Sequence, residues 1–328
     1  MTLLKSAASL LFAAVALAGC GVLVDGRADR REAVSEAAFP PEGKFLTVNG
    51  RRVHYVSAGT RGPNLILIHG ASGNTRDFTF DFVDRVKDRY RVWVFDRPGL
   101  GYTDHISPAF EGATNTAAES PAQQAAFLKS AAYQLGVTRP VVLGHSYGGA
   151  VALAWALNHD PAALVTVSAA SEPWPGGLGL LYGIAASPLG GAGIVPLITA
   201  FAPEDRVTDT IESVFAPQQA PKGYAQHLGP GLTLRRDSFR ANARQVNSLR
   251  PHVVEMSKRY SGLTLPVEIL HGTADDIVPI DIHSDVLVKQ VPGAVLTRLD
   301  GVGHMPHHVA PEAVIAAIDR AAQRAGLR

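Results

Sequence analysis

A serine framed by glycines, Gly144-His145-Ser146-Tyr147-Gly148-Gly149, follows the apolar run Pro140-Val141-Val142-Leu143 and precedes a helix-prone stretch from Ala150 to Leu157. Few folds accommodate that order. A G-x-S-x-G bend between a strand and a helix holds its serine in a strained turn and pushes the hydroxyl out at the end of a sheet. The flanking glycines let strand and helix approach without side-chain clash. The simpler alternative is a small-residue helix start with Ser146 as its N-cap.

The surrounding pattern sets the fold class. Asn64–Ile68, Arg91–Phe95, Leu164–Ser168, Pro266–Leu270 and Ala294–Leu299 are short apolar runs, as in strands of a buried parallel sheet. Helical patterns at 75–89, 122–135, 280–290 and 311–325 lie between or after them. This alternation predicts an α/β domain: a mostly parallel central sheet flanked by helices, with right-handed crossovers. Lys44–Val48 and Arg52–Ser57, joined by Asn49-Gly50, predict an initial hairpin. With 328 residues, 46% of them hydrophobic, the chain can bury one large core.

The alternation breaks over 171–262, where helices are expected at 207–215, 236–249 and 251–260. This stretch reads as a helical cap inserted between two parts of the core, 44–170 and 263–328, with ordinary helical packing as the alternative. A net charge of +1, with no basic run interleaved with aromatics, argues against a nucleic-acid partner.

Ahead of residue 44 the sequence changes character. Ser6 to Val24 carries no charge, and its apolar heart, Leu10 to Leu17, reads as a secretory signal. The segment ends Leu17-Ala18-Gly19-Cys20, and this single cysteine leaves no internal disulfide. It resembles the lipobox of bacterial lipoproteins. The resemblance implies a signal peptide over 1–19 and an acylated Cys20 that anchors an exported protein to a lipid bilayer of the cell envelope. Gly21 after the cysteine departs from the aspartate that signals inner-membrane retention in that family. Ordinary cleavage after Ala16-Leu17-Ala18, giving a soluble secreted protein, and an uncleaved anchor are the alternatives. Residues 20–43 mix both charges across Asp25 to Glu32, end in Pro40-Pro41, and read as a flexible tether. A first helix of the domain is the alternative.

Serine becomes a nucleophile only when a base takes its proton and a third group orients the base. Asp275 lies in the loop after the 266–270 run, and His304 in the loop after 294–299. Both loops leave the carboxyl ends of strands, the edge at which open α/β sheets bind ligands. The order Ser146…Asp275…His304 is that of α/β-hydrolases.

Together with His69-Gly70-Ala71-Ser72-Gly73-Asn74 and Asp96-Arg97-Pro98-Gly99-Leu100-Gly101-Tyr102, these motifs make residues 44–325 resemble the serine hydrolases of the α/β-hydrolase superfamily. The resemblance implies Ser146 as nucleophile, His304 as general base and Asp275 as its orienting carboxylate. It also implies an oxyanion hole from the backbone N–H groups of Ala71 and Tyr147, with no cofactor. Family spacing selects Asp275 over Asp276. His307 and His308 allow a metal reading with His304, but no matching second cluster is apparent and no metal is expected. His69 and His145 are assigned structural hydrogen bonds, and Asp96 and Arg97 the organisation of their own loop. Ser72 is either a substrate contact or a turn serine.

Haloalkane dehalogenases and epoxide hydrolases of this fold carry aspartate where this chain has Ser146, so the resemblance points away from both. A serine implies an acyl-enzyme, with a small or medium apolar carboxylic ester as the expected substrate. The cap segment supplies Trp174, Leu178, Leu180, Leu181, Tyr182, Ile184 and Leu189, which either line an apolar pocket or form the cap's own core. Trp174 and Tyr182, with Ser72, are the substrate-binding candidates. A lactonase, a C–C bond hydrolase and a cofactor-free perhydrolase reuse the same three residues. A non-catalytic surface-binding protein on this scaffold is the remote alternative.

Overall fold

The alternating apolar runs form one sheet. The computed structural model describes residues 21–177 and 179–328, so the expected signal peptide, Cys20 and Leu178 lie outside the described residues. Its strands are β1 (Lys44–Val48), β2 (Arg51–Ala58), β3 (Asn64–Ile68), β4 (Arg91–Phe95), β5 (Val141–His145), β6 (Ala163–Val167), β7 (Val267–Gly272) and β8 (Val295–Leu299), in the spatial order β1-β2-β4-β3-β5-β6-β7-β8. β1 pairs antiparallel with β2, and β2 with β4; every other pair is parallel. β5 therefore runs near the middle, between β3 and β6, and Ser146 leaves its carboxyl end.

Helix α1 covers 21–38. α2 (Arg76–Thr79) and α3 (Phe82–Val86) follow β3, α4 (Pro121–Gln134) precedes β5, and α5 (Tyr147–His159) follows it. Between β6 and β7 come α6 (Leu180–Ala186), α7 (Val195–Phe201), α8 (Glu204–Ser213), α9 (Tyr224–Leu228), α10 (Pro230–Thr233) and α11 (Arg236–Ser257). α12 (Ser284–Gln290) precedes β8, and α13 (Pro306–Val309) and α14 (Pro311–Arg324) close the chain.

The two-residue period of the strands sorts the core. Ile66, Ile68, Val142, Leu164 and Ile269 pack with α4 and α5 on one face. Leu65, Leu67, Val92, Leu143 and Val165 pack with α3 and α14 on the other. Both faces are covered, which is why the central strands read as unbroken apolar runs rather than alternating ones.

Three expectations are corrected. The flexible tether over 20–43 is, from residue 21 to 38, a helix docked on the insertion. Asp25, Asp29, Glu32 and Glu36 recur at helical spacing and face a seam: Arg236 pairs with the first three, and Arg235 with Glu36. Arg27 Nε donates to the Ala200 carbonyl at 2.7 Å, and Ala28 is fully buried. The charges that suggested a solvated tether are its docking contacts.

The two helices expected at 236–249 and 251–260 are one, α11, with Pro251 inside it. Proline removes one backbone donor, but Val246, Leu249, Val253 and Met256 form one buried stripe across it, and that packing keeps the helix continuous. The helix expected over 75–89 divides at Asp81, whose φ of −155° is not helical. The break lets Phe78 and Phe82 both bury, with rings 6.0 Å apart.

No strand interrupts the described part of 171–262. It reaches the carboxyl edge of the sheet: Asn242 and Thr233 on its helices bond Ser72 after β3, Gln245 bonds the Pro98 carbonyl after β4, and Gln218, between α8 and α9, bonds Gly301 and Gly303 after β8. Among the described residues no single helix is long and apolar enough to cross a membrane.

Candidate active site

Ser146 takes φ 53° and ψ −119°, a backbone conformation that costs a non-glycine residue on the order of 1–3 kcal/mol. Close packing enforces the turn. A Cβ on Gly144 would stand 2.1 Å from the Gly148 carbonyl oxygen, and one on Gly148 would stand 2.2 Å from that of Ile68. One on Gly149 would meet Ala169 Cβ at 2.3 Å. Only glycine fits at these three places, so helix α5 starts directly against β3 and β6 with Ser146 at its head. The Ser146 amide donates to the Val167 carbonyl at 3.0 Å, which ties the turn to β6.

Asp275 is buried in the loop after β7, whereas the neighbouring Asp276 is exposed. One Asp275 oxygen accepts from the Ile277 and Val278 amides at 3.0 and 2.9 Å. The other accepts from His304 Nδ1 at 2.8 Å and lies 3.2 Å from His271 Nε2. Burial opposes ionisation, yet the hydrogen bonds from His271 and His304 outweigh it and hold this carboxyl well below the usual range. A permanent carboxylate at Nδ1 fixes the His304 tautomer and leaves Nε2 with its lone pair, the form a general base needs. Among the described residues no hydrogen bond joins Nε2 to Ser146 Oγ. Such contacts are often long without substrate.

The loop after β3 packs against the serine: a Cβ on Gly70 would come within 3.1 Å of Ser146 Cβ. Its carbonyl accepts from His69 Nδ1 at 2.9 Å and from Arg97 Nη2 at 3.1 Å. A trans peptide points its N–H opposite its carbonyl, so the Ala71 N–H faces away from Arg97. Among the described residues neither Ala71 nor Tyr147, the first residue of α5, donates its amide to the protein. Arg97 is fully buried, bonded to Gln124 and Gln245, with its guanidinium 4.2 Å from the centre of the Tyr147 ring. Burial brings it down to about 10, so it remains charged near neutral pH. It braces the Gly70–Ala71 peptide, a wider role than organising its own loop.

Behind the serine runs a stack of imidazoles that the sequence did not connect. His145 lies 4.9 Å from His304 and 4.5 Å from His307, ring centre to ring centre, and His307 lies 4.2 Å from His308. His145 Nε2 donates to the His304 carbonyl at 2.9 Å and so holds the loop that carries His304. Asp77 closes the far end, with one oxygen accepting from Tyr224 Oη at 2.8 Å, His308 Nε2 at 2.9 Å and His307 Nε2 at 3.2 Å. Burial, first, and His308 nearby bring His307 to about 4, while burial puts His145 well below its ordinary value. Both are neutral at pH 7.

Ligand atoms of Asp77, His145 and His307 lie within 4.8 Å of one another, a set with metal-binding chemistry. The Asp77 oxygen, however, already carries three hydrogen bonds. His307 and His308 thus serve a buried hydrogen-bonded support. Asp77, the missing partner, lies far away in sequence.

Ser72 is clamped rather than free. Its amide donates to Asn242 Oδ1 at 2.7 Å, its hydroxyl accepts from Asn242 Nδ2 at 2.9 Å, and its carbonyl accepts from Thr233. Trp174 packs in the same apolar cluster as Tyr147 and Ala170, with Ala71 and Tyr182 partly buried against it. Leu180, Leu181, Ile184 and Leu189 are exposed, so they form neither a pocket wall nor a core for the insertion. A crevice of about 600 Å³ opens between α1 and α8, and neither Ser146, Asp275 nor His304 lines it.

Glu172, after β6, is buried and bonded to Gln290 at 3.3 Å, and burial pushes its carboxyl up to about 7. The adjoining His283 Nδ1 accepts from the Ser171 and Glu172 amides, and burial brings that ring down to about 4.

The chain matches the alpha/beta hydrolase family over residues 65–317 and belongs to it. The magnesium-chelatase 30 kDa subunit of Rhodobacter capsulatus is 28% identical over 265 residues, spanning 76% of this chain and 84% of that protein. The pimeloyl-[acyl-carrier protein] methyl ester esterase of Vibrio campbellii is 28% identical over 276 residues, spanning 80% and 94%. The crystal structure of the esterase RhEst1 from Rhodococcus sp. ECU1013 superposes with a TM-score of 0.64 at 22% identity, covering 85% of this chain and 97% of that one, a likeness of fold.

Asp77→Ala strands the Tyr224, His307 and His308 donors in a buried place and is expected to cost about 3 kcal/mol or more; an unchanged denaturation midpoint would contradict the support role. Between pH 4.5 and about 7 native Glu172 keeps a proton that the unfolded chain has lost, so stability falls as pH rises through that window. Glu172→Gln is therefore expected to melt higher relative to wild type at pH 8 than at pH 5, by roughly 2–4 °C. A difference independent of pH would reject this.

Proposed function

We propose that the protein is a serine esterase that cleaves a small or medium apolar carboxylic ester through an acyl-enzyme. One observation carries the reading: a carboxylate held ionised by its partners fixes His304 Nδ1 at 2.8 Å, beside a serine in a strained turn at the sheet's carboxyl edge. Ser146 Oγ attacks the acyl carbonyl as His304 Nε2 takes its proton. The oxyanion that forms accepts from the Ala71 and Tyr147 amides, whose donors are unspent. Collapse breaks the acyl–oxygen bond, and the leaving alcohol takes the proton back from His304. Water then repeats the sequence on the acyl-serine and releases the acid. The named esterase relative from Vibrio campbellii supports an ester, and the apolar cluster around Tyr147 and Trp174 supports an apolar acyl group.

We further propose export and acylation of Cys20. The uncharged Ser6–Val24 run and Leu17-Ala18-Gly19-Cys20 support this.

Ser146→Ala is expected to reduce turnover of short-chain esters by about 10⁴–10⁶ with an unchanged melting temperature, and wild type but not the variant should label with a fluorophosphonate. Unlabelled, folded wild type would sink the serine mechanism. Intact-mass analysis of membrane-extracted protein should find acyl chains on Cys20 and none on Cys20→Ser; a free, unprocessed Cys20 would reject the anchor.

A further inference from the structure

The segment between Glu172 and Glu204 contains no Asp, Glu, Lys or Arg. It folds as α6, a π turn at Gly190–Ile194 and α7, with the two limbs bent by 93°. Its packing reverses the usual order of sizes. The fully buried side chains are small, Ala185, Ala186 and Val195 packing on Ala243, with only Tyr182 as a large side chain partly buried against them. Those turned outward are large. Leu180 is 80% exposed, Leu189 at the corner 87%, and Phe201 53%, with Leu181, Ile194 and Leu197 also exposed. Ile194, Leu197 and Phe201 share one face of the second limb by their three- and four-residue spacing. Water does not favour such an arrangement, and monomeric proteins rarely show a large apolar patch without a partner for it.

The chain itself indicates the partner. Helix α1 fastens to this hairpin: Arg27 donates to the Ala200 carbonyl at 2.7 Å and lies 4.9 Å over the Phe201 ring, and Arg31 donates to the Ala202 carbonyl at 2.8 Å. Val22 and Leu23, 72% and 74% exposed, stand about one turn earlier in α1 and belong in sequence to the end of the uncharged Ser6–Val24 run. The most apolar run of the chain thus leads into the element that grips its exposed apolar hairpin. Neither limb is long enough to span a bilayer, whereas short limbs with one apolar face suit burial at the headgroup–acyl boundary.

We propose that the α6–α7 hairpin is a membrane-docking surface that lies in the interface of a phospholipid bilayer, with Leu189 and Leu197 among its inserted residues. The proposal extends the membrane location given above without depending on a lipid at Cys20 or on esterase activity.

The test uses the full chain with Cys20→Ser, so that one introduced thiol can be labelled. An environment-sensitive fluorophore goes on Leu189→Cys, or on Tyr133→Cys at the end of α4 as a distant exposed control. In vesicles of phosphatidylcholine and phosphatidylglycerol, the Leu189 probe is expected to shift to the blue and to be quenched by nitroxides on the acyl chains, with the Tyr133 probe unaffected. Leu189→Asp with Leu197→Asp is expected to lower vesicle partitioning about tenfold with unchanged thermal unfolding. The proposal is overturned if the Leu189 probe stays aqueous on vesicle-bound protein, if the full chain does not bind vesicles, or if the probe is shielded without vesicles in a concentration-dependent way, which would assign the patch to a second copy. Acylation of Cys20 is read separately by mass, and hydrolysis by turnover, so failure of either leaves this result intact.

Discussion

The backbone of Ser146 sits where an L-residue is strained, and much of the structure exists to keep it there. Gly144, Gly148 and Gly149 allow β5 and α5 to meet with no room for a methyl group at the junction. That junction is anchored between two fully buried strands, β3 and β6. Interiors at this packing density do not relax by small amounts. The strain is therefore held by bulk packing rather than by any single bond, and the serine is presented the same way whatever occupies the space above it.

Polar groups around the serine follow a second rule, in which each imidazole donates through one ring nitrogen. His69 gives Nδ1 to Gly70 and accepts from the Arg97 amide at Nε2. His145 gives Nε2 to His304, and His307 gives Nε2 to Asp77. Burial keeps all three neutral at pH 7, His69 being brought to about 4, so none adds a fixed charge beside the base. Of the ionised groups near the centre, Asp77 is spent on Tyr224, His307 and His308, Asp275 holds His304, and Arg97 holds the Gly70 carbonyl. Asp275 fixes the His304 ring, and Arg97 fixes the Gly70–Ala71 peptide, with the Ala71 N–H facing away from it. For the esterase proposed above, this placement would let ionised groups set geometry without stabilising the ground state of a neutral ester.

Much of this was legible in the sequence because it depends on period and order. Apolar runs of strand length, glycines at the bend, and polar residues just past strand ends fixed the α/β class and gathered Ser146, Asp275 and His304 at one edge. What escaped depends on side-chain partners distant in the chain. Asp77 and His307 are separated by most of the domain, and nothing in either neighbourhood announces the other. Helix α1 stands in the sequence only as the alternative to a tether, although Asp25, Asp29, Glu32 and Glu36 carry helical spacing, because mixed charge with few large apolar groups is also how a solvated linker reads. Its stabilising partners, Arg235 and Arg236, lie in α11. Pro251 misled for the same reason: a local breaker was judged without the tertiary stripe from Val246 to Met256 that overrides it.

The insertion shows the limit most clearly. Leu180, Leu181, Ile184 and Leu189 look in the sequence like material for a pocket or a core, since hydropathy has magnitude but no direction. Only packing assigns the direction, and here Ala185, Ala186 and Val195, with Tyr182 beside them, take the inner positions. Small residues inside let α6 and α7 lie close on α11, whose Asn242 and Gln245 reach down to Ser72, Arg97 and Pro98. The same element thus presents an apolar outer surface and, through α11, holds the loops that frame Ser146. Those hydrogen bonds are all under 3 Å, so one helix carries the apolar hairpin on one side and the loops around Ser146 on the other.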